Sequence, residues 1–104
     1  MASELTVIWW RGIPAQVVAG SGRGAAKVQL SNRFQEAIDL AATRAGLIGS
    51  DDYMAEWHKE RRPCGDDLRA EARSEAERLE AAFDDEALSR LARAGGVPNG
   101  GIGS

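Results

Sequence analysis

The sequence is poor in the side chains from which most catalytic centres are built. A single cysteine, Cys64, excludes an intramolecular disulfide and a cysteine-based structural zinc site. A single histidine, His58, cannot supply the imidazole clusters of catalytic zinc or non-haem iron. No run approaches the roughly 18 apolar residues that a membrane span requires. Met1-Ala2-Ser3-Glu4-Leu5 lacks the basic and long apolar regions of a signal peptide, so the chain is expected in the cytoplasm, away from membranes. An excess of positive charge is also missing. Thirteen Lys+Arg against 16 Asp+Glu give a net charge of −3, which argues against a broadly basic nucleic-acid binder. No catalytic residue, metal or cofactor is therefore expected.

What is present suits one soluble domain. The chain has 104 residues, 43% of them hydrophobic and 28% charged, enough to fold without a metal or disulfide. Charge is unevenly spread. Residues 1–46 carry five basic and three acidic side chains, whereas residues 47–104 carry eight and thirteen. Five glycines among residues 95–104 predict a flexible tail beyond a domain at 4–94.

Residues 4–30 read as β structure. Leu5-Thr6-Val7-Ile8-Trp9-Trp10 is β-branched and aromatic, Arg11-Gly12-Ile13-Pro14 breaks it, and Ala15-Gln16-Val17-Val18-Ala19 resumes. Ser21-Gly22-Arg23-Gly24 is a turn, because it lacks the spacing and following helix of a phosphate-binding loop. Ala25 to Leu30 alternates as a third strand, and the short connections imply an antiparallel meander.

Helices follow over about 32–94. Ser31 is the N-cap candidate for a first helix, with Phe34, Ala37, Ile38, Ala41 and Ala45 as its apolar stripe and Gly46 as its stop. Ser50-Asp51-Asp52 opens a second, which carries Tyr53, Met54 and Trp57 and ends before Pro63. A third is expected from Asp67 to about Phe83 behind Asp66. Its stripe is Leu68, Ala72, Glu75 or Ala76, Leu79 and Phe83. A fourth follows Asp84 or Asp85. The order predicts an α+β fold, a three-stranded antiparallel meander followed by about four helices packed on one face, with the first helix covering the meander.

Several side chains are candidates for contact. Trp9 and Trp10 are strand neighbours and point to opposite faces, so one of them is either covered or used in binding. Arg11, Lys27 and Arg33 lie in the positive half and either form a solvated basic rim that pairs with the acidic rear half or receive an anion such as a carboxylate or phosphate. Tyr53 and Trp57, four apart, are either a packing pair or a ligand platform. Gln16 is polar within a strand. Gln35, Glu36 and Asp39 read as a solvated face, and His58 with Cys64 lacks the third group of a nucleophilic site. The candidate set is Trp10, Arg11, Gln16, Lys27, Arg33, Tyr53 and Trp57.

The strings Val7 to Val17, Leu30 to Asp39 and Asp52 to Trp57, with Lys27, resemble a small bacterial virulence-factor domain family. That domain also forms a segment of the Gram-positive conserved virulence factor C. The resemblance spans residues 4–83, and departs at Trp9 and Thr43, where the family carries Tyr and Met. The family's name implies no reaction, and the resemblance adds only the company of folate, methyl-transfer and corrinoid enzymes. The poor catalytic inventory, the adjacent Trp9 and Trp10 and the opposite charge of the two halves point to an interaction or accessory module with a protein partner. The alternative is a small protein that recognises an anionic small molecule through Arg11, Lys27 and Arg33.

Overall fold

In the computed structural model, which describes residues 3–97, the chain builds a four-stranded sheet and four helices. β1 (Ser3–Trp10) and β2 (Ile13–Ala19) form a hairpin around Arg11-Gly12, and a single 3-10 turn over Gly22–Gly24 leads into β3 (Ala26–Gln29). Then come α1 (Asn32–Arg44), α2 (Asp51–Ala55), β4 (Trp57–Cys64), α3 (Leu68–Ala82) and α4 (Asp85–Arg93). All pairings are antiparallel, in the order β3-β2-β1-β4. The α+β class follows the sequence pattern.

The fourth strand corrects the expected three-stranded meander and the expected long second helix. α2 stops at Ala55, and Trp57–Cys64 pairs with β1 without interruption, from Ser3↔Cys64 to Trp10↔Trp57. His58-Lys59-Glu60-Arg61-Arg62 favours helix by propensity and shows no apolar alternation. As an edge strand with its central side chains exposed, it needs none. Pro63 is tolerated there because an edge strand can spare an N–H.

A register shift between Ile8 and Trp9 leaves Ala15 unpaired in β2, and its carbonyl accepts from Leu30 N–H at 3.1 Å. On one side of the sheet Leu5, Val7, Val17 and Ala19 enter the core. Its principal cover is α3, which lies against β2, β3 and β1, while α1 packs between β2 and α4. The helix after Ser31, expected as the cover of the meander, does pack on β2, but α3 covers more of the sheet. The α1 stripe supplies small residues, Ala37, Ala41 and Ala42, that admit α4 closely, and Phe34 at its start reaches Phe83 at a centroid distance of 6.2 Å.

The caps differ in chemistry. Asp67 and Asp84 accept from Ala70 N–H at 3.2 Å and Ala87 N–H at 2.8 Å, so the aspartates next in line, Asp66 and Asp85, do not cap. Ser31 makes no side-chain cap. Its N–H (2.8 Å) and hydroxyl (3.0 Å) both donate to the Glu80 carboxylate of α3. Gly46 has φ +75° at the end of α1, as a left-handed stop requires. Of the expected tail, Gly95 and Gly96 are buried against the domain, and residues 98–104 lie outside the described residues.

Phe34 is 1% exposed at the centre of this packing. Replacing it by alanine should cost about 3–5 kcal/mol in a urea titration; a loss indistinguishable from zero would mean that α1 docks through another side.

Candidate functional site

Extended backbone sends Trp9 and Trp10 to opposite faces, and each meets its own aromatic partners. Trp10 is fully buried. Its Nε1–H donates to Tyr53 O at 2.9 Å, its ring lies 5.7 Å from that of Tyr53, and Tyr53 in turn meets Trp57 edge-on at 6.2 Å. Trp9 stacks on His58 at 6.5 Å and meets Phe83 edge-on at 6.1 Å. Its buried Nε1–H has no acceptor among the described residues. The Tyr53/Trp57 proximity survives although Trp57 belongs to a strand, because a single residue, Glu56, separates α2 from β4.

Arg11 sits at the hairpin turn with φ +51°, a left-handed conformation that non-glycine residues rarely adopt. Its guanidinium pairs with Glu56 at 3.3 Å, donates to Gly95 O at 3.0 Å and lies 5.3 Å from the Trp10 ring centroid. Gly12 N–H donates to Gly96 O at 2.8 Å. Gly96, at φ +86°, lies so close that an added Cβ would stand 2.9 Å from the Trp10 ring. Turn, α2–β4 junction and the end of α4 are thus joined at one side chain.

Arg33 is committed in the same way. It donates to Glu80 O at 2.8 Å, to the Glu80 carboxylate at 2.9 Å and to Phe83 O, and pairs with Asp85 at 3.4 Å. These groups lie at the C-terminal end of α3, where a cation is favoured by both the dipole and the free carbonyls. Trp10, Arg11, Tyr53 and Trp57 are therefore brought together, whereas Arg11, Lys27 and Arg33 are not. Lys27 pairs across the ladder with Val18, five residues or about 16 Å along β2 from the Ile13 end.

Lys27 and Gln16 instead share the sheet face opposite the core. Two cross-strand rows lie there, Gln29–Gln16–Ile8–Lys59 and Lys27–Val18–Thr6–Arg61. Lys27, Lys59 and Arg61 are exposed and form no ion pair among the described residues. Ile8 and Val18 between them are half-buried and do not join the core. The result is a flat surface about 14 Å across, with cations on both edge strands and uncharged side chains in the middle. Sequence reasoning missed Lys59 and Arg61 by placing them in a helix; the signal available was their spacing of two.

Glu75 is the third residue missed, although its place on the α3 apolar stripe was visible. It is 4% exposed, and its carboxylate accepts from Arg62 of β4 at 3.0 Å and from Arg78 Nε–H at 3.0 Å, with a further bond from Arg78. The Arg78 hydrogen bonds outweigh burial and, with Arg62, hold its carboxyl below the usual carboxylate range. Beside it a cleft of about 450 Å³ is lined by Leu5, Val7, Trp9, Glu60 and Arg62. Glu80 is also lowered: burial opposes this, but donation from Ser31 and Arg33 prevails.

A nucleophilic centre is not assembled. His58 and Cys64 stand six residues, about 20 Å, apart on one strand. Burial, followed by the nearby Glu71 carboxylate, pushes the thiol up and keeps it protonated. Among the described residues there is no cluster of potential metal ligands and no helix long and apolar enough to cross a membrane.

Fold and surface together describe a small α+β domain with one sheet face covered and the other presenting cations. Residues 8–92 match the family model described as "Virulence factor", and the chain belongs to that family. Membership supports an accessory or virulence-related role. No curated protein and no solved structure gives a significant match.

The two lowered carboxyls fix a pH response. Their folded pKa values lie below the unfolded ones, so the stability they contribute is present above the ordinary carboxylate value of about 4.3 and is lost as pH falls through the folded values. Glu75→Gln should lose roughly 1–3 kcal/mol near neutral pH, towards the lower end because both arginines are solvent-exposed. Urea titrations at descending pH should show a shallower acid limb in the variant; an identical limb would remove Glu75 from this account.

Proposed function

We propose that this domain is a non-catalytic protein-interaction or accessory module, acting in the cytoplasm, that holds an acidic protein partner against the open face of its sheet. The observation that carries the reading is the set of three exposed cations without an ion-pair partner among the described residues, Lys27, Lys59 and Arg61, around the uncharged side chains of Thr6, Ile8, Gln16 and Val18, with Glu4 as the one carboxylate in the next row of that face. Trp57, half-buried at one end of β4, adds an aromatic edge to that surface. Unpaired charge on a flat face steers encounter with an oppositely charged partner and fixes its orientation. The resemblance to proteins found among folate, methyl-transfer and corrinoid enzymes suggests that the partner belongs to such a system.

The reading as a receptor for an anionic small molecule has less support. Arg11 would have to leave Glu56 and Gly95, and Arg33 would have to leave Glu80, before either could meet a ligand beside Lys27.

Affinity purification from native extract, with the wild type and a Lys27→Glu/Lys59→Glu/Arg61→Glu variant as baits, tests the proposal. A partner held by the wild type at low salt should be released by added salt and missed by the variant. Capture that ignores the reversal, or a wild type that recovers nothing and remains a free monomer, would count against it.

A further inference from the structure

β4 is both the most charged strand and a complete free edge. It lies last in the sheet, and among the described residues no backbone group of residues 58–63 bonds outside the β1 ladder. Proteins ordinarily blunt such edges with charge and proline, and β4 has both. Its charge, however, is almost of one sign: Lys59, Arg61 and Arg62 against Glu60.

That pattern discriminates between occupants. In two-fold antiparallel pairing of β4 with a second copy, every register centred on residues 59 to 62 sets a charged side chain opposite itself: Lys59, Glu60, Arg61 or Arg62. Like charges directly opposite are destabilising, which disfavours the registers centred on Lys59, Glu60 and Arg62; the one centred on Arg61 also sets Glu60 opposite Arg62 twice, which offsets its repulsion. A strand with carboxylates at alternate positions meets the reverse situation. Its acidic side chains fall beside Lys59 and Arg61 on the open face, and its backbone satisfies the free groups of β4.

We infer that the edge of β4 receives an extended acidic segment of the partner as a fifth strand of the sheet. This rests on the partner-binding reading above and specifies how the partner is held. The occupant is an extended peptide with carboxylates two residues apart, at least long enough to span His58 to Arg62.

The probe is an acetylated, amidated octapeptide of alternating Glu and Val, titrated into the full chain and followed by backbone amide chemical shifts and hydrogen exchange. Residues 58–62 should gain amide protection, and Lys59→Glu/Arg61→Glu should weaken binding by about tenfold or more. The same peptide N-methylated at every residue, which offers no N–H to either side, should fail to bind. Equal binding of the two peptides would overturn strand addition while leaving the charged face as a docking surface. Equal binding of a Lys-Val peptide would overturn the charge argument, and binding of neither acidic peptide would overturn the inference outright.

Discussion

Two large rings side by side in an extended strand cannot be hidden by one layer of helices, and the rest of this domain is arranged around that constraint. Trp9 goes towards Phe83 and, through it, Phe34; Trp10 goes towards Tyr53 and Trp57. Each ring carries a large apolar area and an N–H. The end of the sheet that holds them is therefore covered on both sides, by the α3–α4 corner on one and by α2 with Gly96 on the other. Further along β1 no such demand exists. Thr6 and Ile8 stay outside the core, which leaves the sheet open where its cations stand.

Arg11 is where the two covers meet. A left-handed arginine costs on the order of 1–2 kcal/mol. The bonds to Glu56 and Gly95, the bond between Gly12 and Gly96, and the stacking on Trp10 together over-determine the turn. Such contacts link residues 45 and 84 positions apart, so the cationic turn is spent internally and contributes little to recognition. Arg33 illustrates the same economy at the other end of α1, where one guanidinium closes the C-terminus of α3 and fixes the start of α1 through Glu80.

The elements that sequence revealed are those whose pattern records a buried side. β1 and β2 are marked by β-branched and aromatic runs between turn residues, β3 alternates, and α1, α3 and α4 carry stripes whose apolar side is the buried one. β4 was illegible because its central residues face solvent and its formation is dictated by the open edge of β1, which lies about fifty residues away in sequence. The same distance hides ion-pair partners. Pairing of the basic front half with the acidic rear half is legible from charge alone, but that Glu56 serves Arg11 and Glu80 serves Arg33 is not; Lys59 and Arg61 look like part of a solvated helix because their alternation has meaning only in a strand. Glu75 was half legible: its position on a stripe was apparent, but the two arginines that make its burial tolerable were not.

Glu75 also joins the covered and open sides of the molecule. Arg62 projects from β4 towards α3, while its neighbour Arg61 projects from the same strand to the opposite face. The Arg62–Glu75 bond ties this edge strand to the helical layer, together with the packing of Cys64 and the bond from Gly65 N–H to Glu71. The cationic face is thus backed, on the other side of the same strand, by a carboxylate whose burial is tolerable because Arg62 and Arg78 satisfy it, while the ladder with β1 fixes where Lys59 and Arg61 stand.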